Sequence, residues 1–342
     1  MATLSAQPAP APSRALQGIL CVEIAMLLFV GQDAMMKTLL TIYPVWLLIF
    51  VRSIVTLLVM TPLILWLGKP HRLLTPLWPL HLIRAFLFAS GFSMFYAAFP
   101  FMGLAEVSTI FFSAPLITAL FAAVFLRETI GWHRGVALVA GFVGVLIAMN
   151  PTGENFSLVA ILPLLCAVTY AISQIIARQI GDRESTLTVG LYTLTFAGLL
   201  ILPMGWLVNQ VIEITPATYH LRWEMPPQAL DDLPRLALLG AIGMAAYTLV
   251  SRAYQVANAS LVAPFDYTYL PFAALLAYVL WDEVPALNTL AGMVIITASG
   301  LYLGWRELRA SRHSDATPVT AEAIFAPGSP LPPQIPEEET SR

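Results

Sequence analysis

Long apolar runs alternate with short polar stretches along most of the chain. The runs cover residues 17–40, 44–67, 78–101, 104–126, 132–149, 158–180, 187–209, 233–254, 257–280 and 286–305. A helix needs about 20 residues, rising 1.5 Å each, to cross roughly 30 Å of hydrocarbon. In lipid every backbone N–H and C=O must find its partner within the segment, so runs of this length predict helices; a transmembrane barrel would alternate polarity over segments of about ten residues. The expected fold class is all-α, a polytopic membrane protein of ten transmembrane helices. Residues 1–15, rich in Ala and Pro, and 311–342, polar and ending near Glu337, Glu338 and Glu339, are expected to be disordered tails, because such compositions bury too little apolar area to offset ordering. The N-terminus lacks a basic region ahead of a short apolar core and so does not read as a cleavable signal peptide.

Basic residues orient the spans, since Lys and Arg in short connections stay on the cytoplasmic side. Arg14, Lys69, Arg72, Arg127, Arg134, Arg178, Arg183, Arg252, Arg306, Arg309 and Arg312 all fall on one face. On the other face Arg appears only around the long connection 210–232, as Arg222 and Arg235. Both termini are therefore expected in the cytoplasm, with the chain in a cell membrane, the inner membrane of a bacterium.

Composition supports lipid as the solvent: 58% of residues are hydrophobic and 11% charged, against roughly 25% charged in a soluble domain. A net charge of −3 with no basic cluster argues against nucleic acid as a partner. Cys21 and Cys166 lie in apolar runs and read as fillers. The histidines, His71, His81, His133, His220 and His313, lie in or near connections, and no His-Glu-x-x-His occurs. No metal or cofactor is expected.

Two stretches resemble each other. Ala105-Glu106-Val107-Ser108 leads to Ser113-Ala114-Pro115-Leu116, Leu126-Arg127-Glu128, and then Gly141 and Gly144. Asn258-Ala259-Ser260 leads to Tyr269-Leu270-Pro271-Phe272, Trp281-Asp282-Glu283 and Gly300. Five spans per half, an odd number, put the second copy the other way up, an inverted repeat with its site at the midplane. The predicted units are 16–150 and 157–307. Pro-Leu about a dozen residues before Leu-x-Glu, a Gly-containing helix after it, and duplication across ten spans resemble the EamA family of the drug/metabolite transporter superfamily. Arg52, in Val51-Arg52-Ser53, stands where that family usually carries an arginine. The resemblance implies a secondary transporter of metabolites that uses no ATP, and no Gly-x-x-x-x-Gly-Lys-Ser/Thr loop is present. The connection 210–232 departs from it by its length.

Ionisable groups in hydrocarbon are costly and mark partners or function. Depth along the spans matches Asp33 with Arg52 and Glu23 with Arg84, each pair able to staple helices or to serve substrate; Lys37, one turn after Asp33, can share that carboxylate or snorkel. Asp266 lies near mid-depth with no basic residue of matching depth. It is expected either to face a central cavity, binding a proton or a cationic substrate group, or to cap a break near Pro264 and bond nearby tyrosines. Tyr96, Ser113, Tyr170, Gln174, Tyr247 and Tyr267 are candidates for lining that cavity. Pro115, Pro163, Pro203, Pro264 and Pro271 interrupt spans and are hinge candidates or fixed kinks. Gly300 with Gly304, and Ala140 with Gly144, favour close helix packing within one chain or between two, which leaves a homodimer open. The expected function is gradient-coupled transport of a small polar, amino-acid-like or zwitterionic solute by alternating access, with a proton or another ion as coupling partner. The rival is a membrane-embedded enzyme acting on an amphipathic substrate.

Overall fold

A computed structural model describes residues 12–68, 73–125, 131–151, 157–181, 184–257 and 259–311. Among them twelve α-helices and short 3-10 turns form, and no strand. The helices are α1 (Pro12–Leu39), α2 (Val45–Leu67), α3 (Trp78–Ala98), α4 (Leu104–Phe111), α5 (Ala114–Phe125), α6 (Trp132–Met149), α7 (Ile161–Gly181), α8 (Thr186–Val211), α9 (Leu233–Val256), α10 (Ala259–Val262), α11 (Tyr269–Trp281) and α12 (Leu287–Ser311). Nine segments among the described residues are long and apolar enough to cross a bilayer, α4 with α5 counting as one. Side chains such as Leu58, Leu65, Val139 and Val279 stand exposed on their outer surfaces, as lipid contact requires.

Two of the ten predicted spans are not continuous. The fourth breaks at Phe112 and Ser113 between α4 and α5, where Pro115 has no N–H to offer Phe111. The ninth is α10, a 3-10 turn over Ala263–Thr268, and α11. Pro264 opens the turn, and Pro271 denies α11 a bond back to Tyr267. The similar Pro115 and Pro271 motifs thus both sit in the first turn of a second half-helix. Pro203 lies inside α8. Pro163 interrupts nothing: it occupies the first turn of α7, where N–H groups lack helical partners in any case. The N-terminal helix begins at Pro12, inside the tail expected to lack order, and α12 runs to Ser311. The rest of both tails, Lys69, Arg72, the Leu126-Arg127-Glu128 motif and Arg183 lie outside the described residues.

The main helix pairs are α6 with α12, α1 with α9, α3 with α7 and α2 with α8. The contact of α6 with α12 lies within one chain: a methyl group on Gly144 would meet Ile295, and one on Gly292 would meet the Gly144 carbonyl. Gly300 serves a different neighbour, for the Tyr267 ring fills the space beside it.

The long connection is a folded cap with 3-10 turns at Tyr219–Leu221 and Pro227–Ala229. Arg222 Nη2 donates to the Ile42 carbonyl at 2.6 Å, and its guanidinium lies 3.6 Å from the Tyr219 ring centre. The Trp46 indole donates to the Arg222 carbonyl at 2.9 Å, and Tyr43 donates to Asp232 at 2.7 Å. These bonds tie the cap to the turn between α1 and α2, and they explain why one of the two arginines on this face interrupts the charge bias: Arg222 is a buried structural residue, whereas Arg235 is exposed.

Candidate functional site

The centre is polar and converges on Asp33. Tyr96 of α3 donates to one carboxylate oxygen at 3.2 Å, and Tyr269, first residue of α11, donates to the other at 2.6 Å. Arg52 Nη1 donates to the Tyr96 hydroxyl at 2.7 Å. The predicted pair therefore communicates through a phenol that accepts from the cation and donates to the anion. Ser108 of α4 reaches Tyr269 at 3.5 Å. Tyr96 of α3 and Tyr269 of α11 thus meet at the carboxylate of α1, with Arg52 of α2 and Ser108 of α4 joined through the tyrosine hydroxyls, and the break in the ninth span is what delivers Tyr269 to it. Packing around Tyr96 is aromatic, with Phe92, Phe95 and Phe99 ring centres 5.3 to 6.0 Å away.

A cavity of about 70 Å³ adjoins this network, lined among others by Asp33, Arg52, Arg84, Tyr96, Tyr170 and Tyr247. Liquid water occupies about 30 Å³ per molecule, so the space suits waters and is shut to a metabolite. Arg84 donates to Ser173 at 3.2 Å, and Tyr247 to the Thr186 carbonyl at 2.8 Å. The remaining predicted residues lie elsewhere. Glu23 accepts from Thr268 at 3.2 Å and is not paired with Arg84. Asp266 is fully buried and accepts from Tyr254 at 3.1 Å. Tyr267 packs on Gly300, Ser113 is buried at the break between α4 and α5, and Gln174 is buried on α7.

Lys37 does not share Asp33. It forms an ion pair with Glu283, which follows α11, and sits 4.9 Å from the Trp281 ring centre. Glu283 also accepts from the Leu104 amide at 3.3 Å. This latch stands one helical turn, roughly 6 Å, above Asp33. Beyond it opens a vestibule of about 670 Å³ that reaches the cap. On the opposite face a second latch was not foreseen from the sequence: Glu184, before α8, accepts from Thr75 and pairs with His81 Nε2 at 2.7 Å. Tyr192 stacks on His81 at 4.9 Å and donates to the Leu73 carbonyl at 2.7 Å. The only signal for it was a histidine at the start of an apolar run.

A many-spanning helical bundle with broken helices and a buried polar centre is the architecture of a multi-pass membrane protein with a polar interior. The chain belongs to the EamA-like transporter family, whose model matches residues 16–150 and 157–304. It is 29% identical to the S-adenosylmethionine uptake transporter of Rickettsia bellii over 76% of this chain and 84% of that protein. It is 29% identical to the riboflavin transporter of Vibrio cholerae over 77% of this chain and 83% of that one. It is 27% identical to the pseudopaline exporter of Pseudomonas aeruginosa, over 66% and 74% respectively. The protein is a multi-pass membrane transporter of a small molecule, and not an enzyme.

Proposed function

We propose that the chain is a secondary active transporter of a small polar organic solute, working by alternating access between inverted halves 16–150 and 157–307. The observation that carries this reading is the Asp33 network, closed towards one face by Lys37 and Glu283 and towards the other by His81 and Glu184. The helix pairing supports the repeat: exchanging the halves turns the α1 with α9 contact into the α7 with α3 contact, and returns α2 with α8 and α6 with α12 to themselves. Asp33, Arg52 and Arg84 offer both signs of charge beside tyrosines, which suits a zwitterion or a ring with polar substituents. The solutes in the relatives' names fit that description. Asp33 carries the coupling proton or meets the substrate's cationic group, and Asp266 is a second proton candidate. By the distribution of basic residues the vestibule faces outward from the cytoplasmic membrane.

The test is uptake into vesicles reconstituted with the full chain, using labelled S-adenosylmethionine and riboflavin within a panel of polar metabolites and an imposed proton gradient. Saturable accumulation that collapses with the gradient, and that Asp33→Asn reduces at least about a hundredfold, is expected. No gradient-dependent uptake of any panel member would sink the reading. Asp266→Asn with unchanged rate and pH dependence would remove that residue from the mechanism.

A further inference from the structure

The vestibule is more than an opening. Its walls come from the end of α1, the connection 99–103 after α3, the start of α4, the end of α11 and the cap. Two carboxylates line it, Glu106 and Glu283, against one cation, Lys37. Lys37 is taken by Glu283, and among the described residues Glu106 has no cationic partner. One Glu106 oxygen accepts from the Gly103 amide at 3.2 Å, capping α4, which leaves the other for a ligand. Aromatic faces surround that charge: Tyr219 and Phe101 are 47% and 43% exposed, and Trp281 is half-buried. A cap residue completes the set. His220 also lines the cavity, at 3% exposure, with its ring set against the backbone of Ala97 and Ala217.

We propose that the vestibule is itself a binding site for a cationic, ring-bearing organic solute, a recruiting subsite distinct from the Asp33 centre and assembled by the long connection. Glu106 supplies the counter-charge, Phe101 and the half-exposed Tyr219 supply apolar stacking surface and cation–π attraction, Tyr219 with the ring face that Arg222 leaves uncovered, and His220 closes the wall of the cavity. Its volume exceeds that of the closed centre about tenfold, so a whole metabolite is accommodated before the Lys37–Glu283 latch yields. A subsite ahead of the gate raises the local solute concentration and filters by charge. The recruiting role rests on the transport reading; the binding does not.

The experiment measures equilibrium binding to the purified full chain in lipid nanodiscs, with S-adenosylmethionine as the sulfonium probe and S-adenosylhomocysteine as its partner without that charge. Asp33→Asn is expected to abolish vesicle uptake while leaving one binding site for the sulfonium probe. Glu106→Gln, which keeps the cap on α4 because glutamine also accepts there, is expected to weaken binding about tenfold, and Tyr219→Ala by a similar factor. In vesicles Glu106→Gln raises the half-saturating concentration with maximal rate held within about twofold. Equal binding of both probes, no binding of either, or unchanged binding in Glu106→Gln and Tyr219→Ala overturns the proposal. Binding with these signatures but no uptake by the unaltered chain would leave the subsite standing and remove the transport reading instead.

Discussion

Between Asp33 and Arg52 stands a single phenol, and its position sets what each charged group can do. Tyr96 passes hydrogen bonding from cation to anion, so a change of charge at Asp33 is felt at Arg52 without direct contact. Lysine at position 52 lacks the planar fork that meets the hydroxyl. Arg52→Lys is expected to lower vesicle uptake about tenfold while the unfolding temperature moves by only a few degrees; unchanged uptake would exclude the relay. His220 gives a second expectation at this scale. Burial holds its pKa down to about 4, below the ordinary 6.5, so the folded chain binds fewer protons than the unfolded one between those values. The neutral ring's contribution is complete above 6.5 and is lost as pH falls towards 4. Unfolding temperatures of the full chain should decline across that window, and His220→Phe should flatten the decline; parallel curves would contradict the assignment. Depth counting found the level shared by Asp33 and Arg52 because rise per residue is constant. It missed Tyr96 as their bridge and Glu283 as the partner of Lys37, because height says nothing about which way a side chain points.

At the level of elements, apolar runs located the nine segments long enough to span and the interrupted run that became α10, the 3-10 turn and α11, since twenty lipid-facing residues leave an unmistakable trace. They concealed the breaks at Phe112 and Ser113 and across Ala263–Thr268, because a helix that unwinds inside protein keeps its apolar composition. Only Pro115, Pro264 and Pro271 marked them, and Pro163 shows that a proline by itself does not tell a break from a first turn. The unwound segment is held by fit: a methyl group at position 300 would lie 1.9 Å from the Tyr267 hydroxyl. Gly300→Ala is expected to cost about 1–3 kcal/mol by overpacking, and adding Tyr267→Leu should restore part of the loss. A thermal unfolding series on the two single variants and the pair reads this directly, and additive losses would refute it. The cap was unreadable as structure from the sequence because its anchors, Arg222, Trp46 and Tyr43, act through backbone carbonyls and a distant aspartate rather than through a motif.

For the whole molecule, the two latches lie on opposite faces and differ in chemistry. Lys37 with Glu283 joins a lysine to a carboxylate, whereas His81 with Glu184 joins an imidazole to a carboxylate that also accepts from Thr75. Weakening the second is expected to favour opening on its own side. In Glu184→Gln, a cysteine introduced near the cavity should react faster with an impermeant thiol reagent from that face and more slowly from the vestibule. Equal rates in both backgrounds would mean that the cluster only staples connections. One geometric fact links the two ends of the cycle. Lys37 and Asp33 occupy consecutive turns of α1, and nothing between them can bend, for the intervening residues are Ala34, Met35 and Met36 in unbroken helix. Acid and amine therefore ride on one rod: a shift of α1 that moves Asp33 carries Lys37 with it, so the buried centre and the pair above it cannot move independently along that helix.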